Sequence, residues 1–95
     1  MTEAQIARFI THTHALMFMI SEKQDALDAY HRLIAGVRTI QDPELRRRMD
    51  CVALAVLNQG RMLGAIDMGD LAMAKDSLER SREWLRLAGV PLLAE

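Results

Sequence analysis

Helical periodicity, helix punctuation and composition together predict an all-α fold of four antiparallel helices arranged as two helical hairpins. Apolar residues recur three and four apart through four segments, and no segment alternates with period two over strand length. Capping pairs, both prolines and two of the glycines, Gly69 and Gly89, mark the ends of those segments. Apolar residues make up 51% of the chain, yet the aromatics are only Phe9, Phe18, Tyr30 and Trp84. Leu, Ile, Val, Ala and seven Met must therefore build the core, which is a helical composition. A chain of 95 residues allows one domain, with the first hairpin over about 3–40 and the second over about 43–89.

The first helix opens at Thr2, whose partner Gln5 three residues on completes a capping box: each side chain can satisfy a free amide of the first turn. Ile6, Phe9, Ile10, Thr13, Leu16, Met17 and Ile20 then share one broad face. Ser21 with Gln24 repeats the box and predicts the second start. Ala26, Tyr30, Leu33, Val37 and Ile40 continue from it in steps of four and three. Asp42-Pro43-Glu44 predicts the third start, with Asp as cap, Pro where no amide is needed, and Glu suited to the helix dipole. Leu45, Met49, Val52, Val56 and Leu63 form its apolar line. Gly60 and Gly64 interrupt it with a flat patch, and a glycine in a helix interior costs about 1 kcal/mol relative to alanine. Close approach of helix 2 or helix 4 is the usual reason for such glycines; the other is a shallow patch that receives a partner peptide, and both can hold on different sides. Gly69-Asp70 starts the fourth helix, which runs through Leu71, Ala74, Leu78, Ser81, Leu85 and Ala88. Gly89-Val90-Pro91 ends it with a left-handed cap and a breaker.

Composition excludes several function classes. The formal net charge of −1 gives no general affinity for nucleic acid or anionic membrane. The longest apolar run, Ala15 to Ile20, is far too short to span a bilayer, and the N-terminus lacks the form of a secretion signal. Cys51 is the one cysteine, so no intramolecular disulfide can form and a reducing, cytoplasmic location is expected. His12 and His14 point about 200° apart on a helix and cannot chelate one ion, so no metal site is expected. No nucleophile elbow, phosphate loop or His-Glu-x-x-His occurs, and Cys51 beside Asp50 and Arg47 lacks a general base. The expectation is a protein that is not an enzyme, with no catalytic residue and no cofactor.

The stretch Gly69-Asp70-Leu71-Ala72-Met73-Ala74, with Leu78, Ser81 and Trp84 beyond it, resembles the second half of a tetratricopeptide repeat. In that family a Gly-Asp turn precedes a small residue at the closest helix contact. The resemblance covers residues 53 to 89 best, with Val56 and Gly60 near the large and Gly positions of the first helix. Residues 4 to 40 match through Ala26, Tyr30 and Leu33, while Ser21-Glu22 stands where the family has Gly-Asp. Ala74 is the residue it places at the crossing of helices 3 and 4. The resemblance implies a scaffold that holds another protein, and implies that the first helix of each pair lines the binding surface.

Candidate binding residues follow. Asn58, Gln59 and Arg61 lie beside the Gly60/Gly64 patch. Arg61 has no acidic residue three or four positions away, which leaves its guanidinium free for another chain. Arg46 and Arg47, with Arg48, form the only basic run and offer a second surface for an acidic partner. Leu16, Met17, Phe18 and Ile20 belong to a run that is apolar all round, more than one neighbouring helix can cover; Met-rich surfaces of this kind adapt to a partner. The expected function is a small adaptor, chaperone or inhibitor that binds a partner helix or peptide, or itself, as a homo-oligomer or hetero-complex. The alternative is a homodimeric helical regulator that acts on nucleic acid, or on a complex bound to it, through Arg46 to Arg48.

Overall fold

Four helices form in the expected order: α1 (Glu3–Met19), α2 (Lys23–Val37), α3 (Pro43–Asp67) and α4 (Leu71–Leu87). They are seen in a computed structural model that describes residues 1–92. No strand occurs among the described residues. Local chemistry sets most boundaries. Thr2 accepts from the Gln5 amide while the Gln5 side chain accepts from the Thr2 amide. Asp42 accepts from the Glu44 and Leu45 amides with Pro43 in the first turn. Asp70 accepts from the Met73 amide. Gly69 and Gly89 hold φ of +73° and +78°, the left-handed region where a side chain would be strained, and so end α3 and α4.

The start of α2 differs by one residue from the Ser21–Gln24 box. Glu22 is the cap, and the Asp25 carboxylate accepts from the Ser21 and Glu22 amides and from the Ser21 hydroxyl. An ionised carboxylate is a stronger acceptor than a glutamine amide, so Asp25 takes the free donors. Gln24 instead reaches forward to Asp28.

Helix α3 is the axis of the fold. Val52, Ala55 and Val56 on it have almost no exposed surface. Among the described residues, the helix pairs that run close together along their backbones are α2 with α3 and α3 with α4. Small residues make this possible. A Cβ built on Gly60 would sit 2.8 Å from the Cβ of Ala26, so the α2–α3 contact closes on a hydrogen where any side chain would collide. Gly64 gives the same room to the stem of Lys23, whose carbons would lie 3.2 Å and 3.7 Å from an added Cβ. Across the axis, α4 buries Ala74, Ser77 and Ser81, and the Ser81 hydroxyl donates to the Ala55 carbonyl at 2.9 Å.

Helix α1 is seated differently. Phe9 and Ile20 enter the core, with Ile10, Leu16 and Met17 packed against it. These are long side chains, and they hold the α1 backbone away from its neighbours. Thr13 is buried on the same face, and its hydroxyl donates to the Phe9 carbonyl within α1. Polar ties then fix the register of α1. The Gln59 amide donates to the Met17 and Ile20 carbonyls at 3.3 Å and 3.2 Å. His14 Nε2 donates to the Pro91 carbonyl at 2.6 Å, and the Arg48 guanidinium lies 5.9 Å from the centre of the Phe9 ring.

Candidate interaction surface

The spacing of α1 from the other helices leaves a groove on each side of it. One, of about 450 Å³, lies between α1 and the α2–α3 pair and includes Arg8, His12, Leu33, Leu45 and Met49 in its walls. The other, of about 310 Å³, lies between α1 and the α3–α4 pair. Met17 and Phe18 form its α1 wall, Leu78 and Arg82 its α4 wall, and Gln59, Met62 and Ser81 also line it. His12 and His14 fall on opposite grooves, as their spacing on a helix requires. Among the described residues no three His, Cys, Asp or Glu side chains converge on a point where an ion could sit. Cys51 is free and buried.

The second groove continues past the end of α1. Gln59 meets the last carbonyls of α1 about two turns before α3 ends at Asp67, so the remaining α3 surface on that side is uncovered. Ile66, one turn beyond Met62, is exposed there. Leu71 stands two turns before Leu78 on the same stripe of α4 and is exposed as well, as is Met68 in the turn between. Phe18, at the rim, has 89% of its surface exposed. Among the described residues, six of the seven large apolar side chains that are exposed lie toward this end of the molecule: Phe18, Met19, Ile66, Met68, Leu71 and Met73, with Leu87 at the far end.

The residues picked out in the sequence divide accordingly. Phe18 is exposed, with Leu16 and Met17 half-buried beneath it, but Ile20 is inside the core and offers no surface for self-association. The helix stops at Met19, and the turn of the chain folds Ile20 inward. Asn58 is buried and donates to the Leu54 carbonyl one turn back, and Gln59 is engaged by α1. Asn58 thus serves the interior of the fold, while Gln59 is tied to α1 and also lines the second groove. Arg61 is exposed and makes no ion pair among the described residues.

The basic run is engaged within the chain. Arg46 donates through Nε, at 2.9 Å, and through Nη2 to the Ile40 carbonyl just past α2. Arg47 reaches the Leu87 carbonyl at 3.0 Å and Arg48 the Ala88 carbonyl at 3.1 Å, so the start of α3 lies beside the end of α4. Arg48 is also paired with Glu44 at 3.0 Å. Cations at the carbonyl ends of α2 and α4 complement the helix dipoles and satisfy acceptors that no amide reaches. The three guanidinium groups thus tie helix ends together, a use that their sequence spacing alone does not reveal.

Ile66 and Leu71 escape a sequence reading based on core lines, because each sits in phase with a helix face that should be covered, and Met68 lies in the turn between them. The available signal is a length mismatch: α1 has 17 residues and α3 has 25. The described helices include none long and apolar enough to cross a membrane. Compared with protein-family models, with curated proteins and with solved structures, the chain matches none of them.

Proposed function

We propose that this chain is a small non-catalytic interaction module that receives a helix of another polypeptide in the groove between α1 and α4. The observation that carries this reading is the apolar groove itself, rimmed by the exposed Phe18 and extended by Ile66 and Leu71. Exposed apolar side chains scattered singly need no explanation; a groove that runs into an apolar end does. A helix laid into it would bring anchors at three- and four-residue spacing against Met17, Met62 and Leu78.

The plan we infer is that of two tetratricopeptide-like hairpins, α1–α2 and α3–α4, with adjacent helices antiparallel. Support for it is strongest in the second hairpin, where Gly69 makes the left-handed turn, Ala74 is buried, and Ser81 bonds to α3. A reading without catalysis fits the titratable groups: His14 is spent on a carbonyl, and Cys51 lies buried beside the apolar Val52. A free cysteine also suits the cytoplasm.

A photo-crosslinking residue in place of Leu78, introduced in growing cells, tests this reading. The expected result is a discrete covalent adduct with a polypeptide, absent when the same residue replaces Leu87 at the far end. No adduct at position 78, or equal labelling at both positions, would defeat the reading.

A further inference from the structure

The geometry points to a small-molecule site in the other groove, between α1 and the α2–α3 pair, whose ligand is a carboxylate on an apolar tail, a medium-chain fatty acid in chemical class. Shape is the first argument. The groove holds about 450 Å³, inside the roughly 300–1,000 Å³ of small-ligand pockets. Phe9 and Val52 in its lining are buried, and Leu16, Leu33, Leu45 and Met49 are half-buried. None of these apolar side chains protrudes as Phe18 does on the opposite flank of α1. A protein partner seats on apolar groups that stand proud of a surface. Apolar groups sheltered in a recess backed by the core suit a narrow tail instead.

Charge is the second argument, and it selects the headgroup. Gln5, Arg8 and His12 follow one another along the groove face of α1, and all three are exposed at its rim. Neither Arg8 nor His12 has a hydrogen bond or ion pair among the described residues. Thr13 adds no donor, since its hydroxyl proton is given to the Phe9 carbonyl. The donors thus lie on one wall and the apolar side chains on the other, so a bound molecule must be polar along one edge only. A guanidinium presents paired N–H groups that match a carboxylate. Asp42 is the one acid in the lining. Arg48 lies by Phe9 and Gln59 by Met17 and Ile20, so α1 and α3 run in the same direction, with Asp42 level with the start of α1. That places it roughly 10 Å of helix rise from Arg8 and roughly 16 Å from His12, beyond the reach of a screened charge. Its carboxylate is also engaged by the Glu44 and Leu45 amides at the positive end of α3.

Titration of the full chain with decanoate, below its micelle concentration and at neutral pH, tests this by calorimetry and by methyl NMR. The expected result is saturable one-to-one binding that shifts the methyl signals of Leu33, Leu45 and Met49 and leaves those of Met62 and Leu78 in place. Octanoate should bind about tenfold more weakly, for the methylenes it lacks. Arg8→Gln should weaken decanoate by about fivefold while leaving the weaker binding of decanol unchanged, because only the acid uses the guanidinium. Arg8 is exposed, so the variant should keep the helical content of the parent. Absence of saturable binding overturns the inference, as do equal affinities for decanoate and decanol, decanoate binding indifferent to Arg8→Gln, or shifts confined to Met62 and Leu78. None of these outcomes bears on the crosslink at position 78, which reports on the opposite flank of α1.

Discussion

The contact of α2 with α3 and the seating of α1 on α3 show two ways of covering the same helix. Ala26 against Gly60 brings two backbones together until a single added carbon would collide. Phe9, Leu16, Met17 and Ile20 hold α1 at side-chain distance, and a groove opens on either flank. Small residues give a contact that fixes position, because close-packed backbones have no room to slide. Long residues bury more apolar area but leave gaps at their edges. The first arrangement seats α2 closely on α3, and the second leaves the grooves, in one of which the proposed partner would lie.

The sharpest way to break the comparison is at its tight side. Gly60→Leu must push α2 away from α3, since the obstruction is the Cβ of Ala26 rather than the end of a flexible chain. We expect a loss of about 3 kcal/mol, at the upper end of what overpacking costs, read as a lower urea midpoint. A variant that melts like the parent would mean that α2 is seated as loosely as α1.

A smaller effect is expected on the loose side. Gln59→Ala removes both amide bonds to the end of α1 and should cost about 1 kcal/mol, mainly in α1 itself. Hydrogen exchange should then show α1 amides about fivefold faster while those at the centre of α3 are unchanged. Equal acceleration in both helices would show that α1 is part of the same cooperative unit. The smallest expected effect is a gain. Gly36 has nothing within 4 Å of a built Cβ and lies inside α2. Gly36→Ala should therefore stabilise by about 0.5–1 kcal/mol, seen as a higher melting temperature. The same glycine-to-larger change has opposite signs at positions 36 and 60, which isolates close approach as the cause.

What the sequence by itself determined is the set of interactions that close within about four residues. Thr2 with Gln5, Asp42 with Pro43, Asp70 with Met73, and the left-handed Gly69 and Gly89 are each complete in a short peptide. The all-α class follows from them and from the apolar period. Even the one-residue shift at the start of α2 is a local contest between Gln24 and Asp25 for the same donors. That Gly60 marks a close approach was legible too, although which of two helices makes it was not.

Tertiary structure alone decided the long-range contacts. Arg47 and Arg48 find carbonyls 40 residues away, and Gln59 reaches carbonyls 42 and 39 residues away. Nothing near them in the sequence distinguishes a guanidinium that caps a helix of its own chain from one offered to a partner. Ile20 and Phe18 stand two apart in one apolar run, yet one is buried and the other is almost fully exposed. Their fates depend on where α1 stops against α3. An apolar residue records only that it should be covered; the lengths and packing of the helices decide whether this chain covers it or leaves it for another.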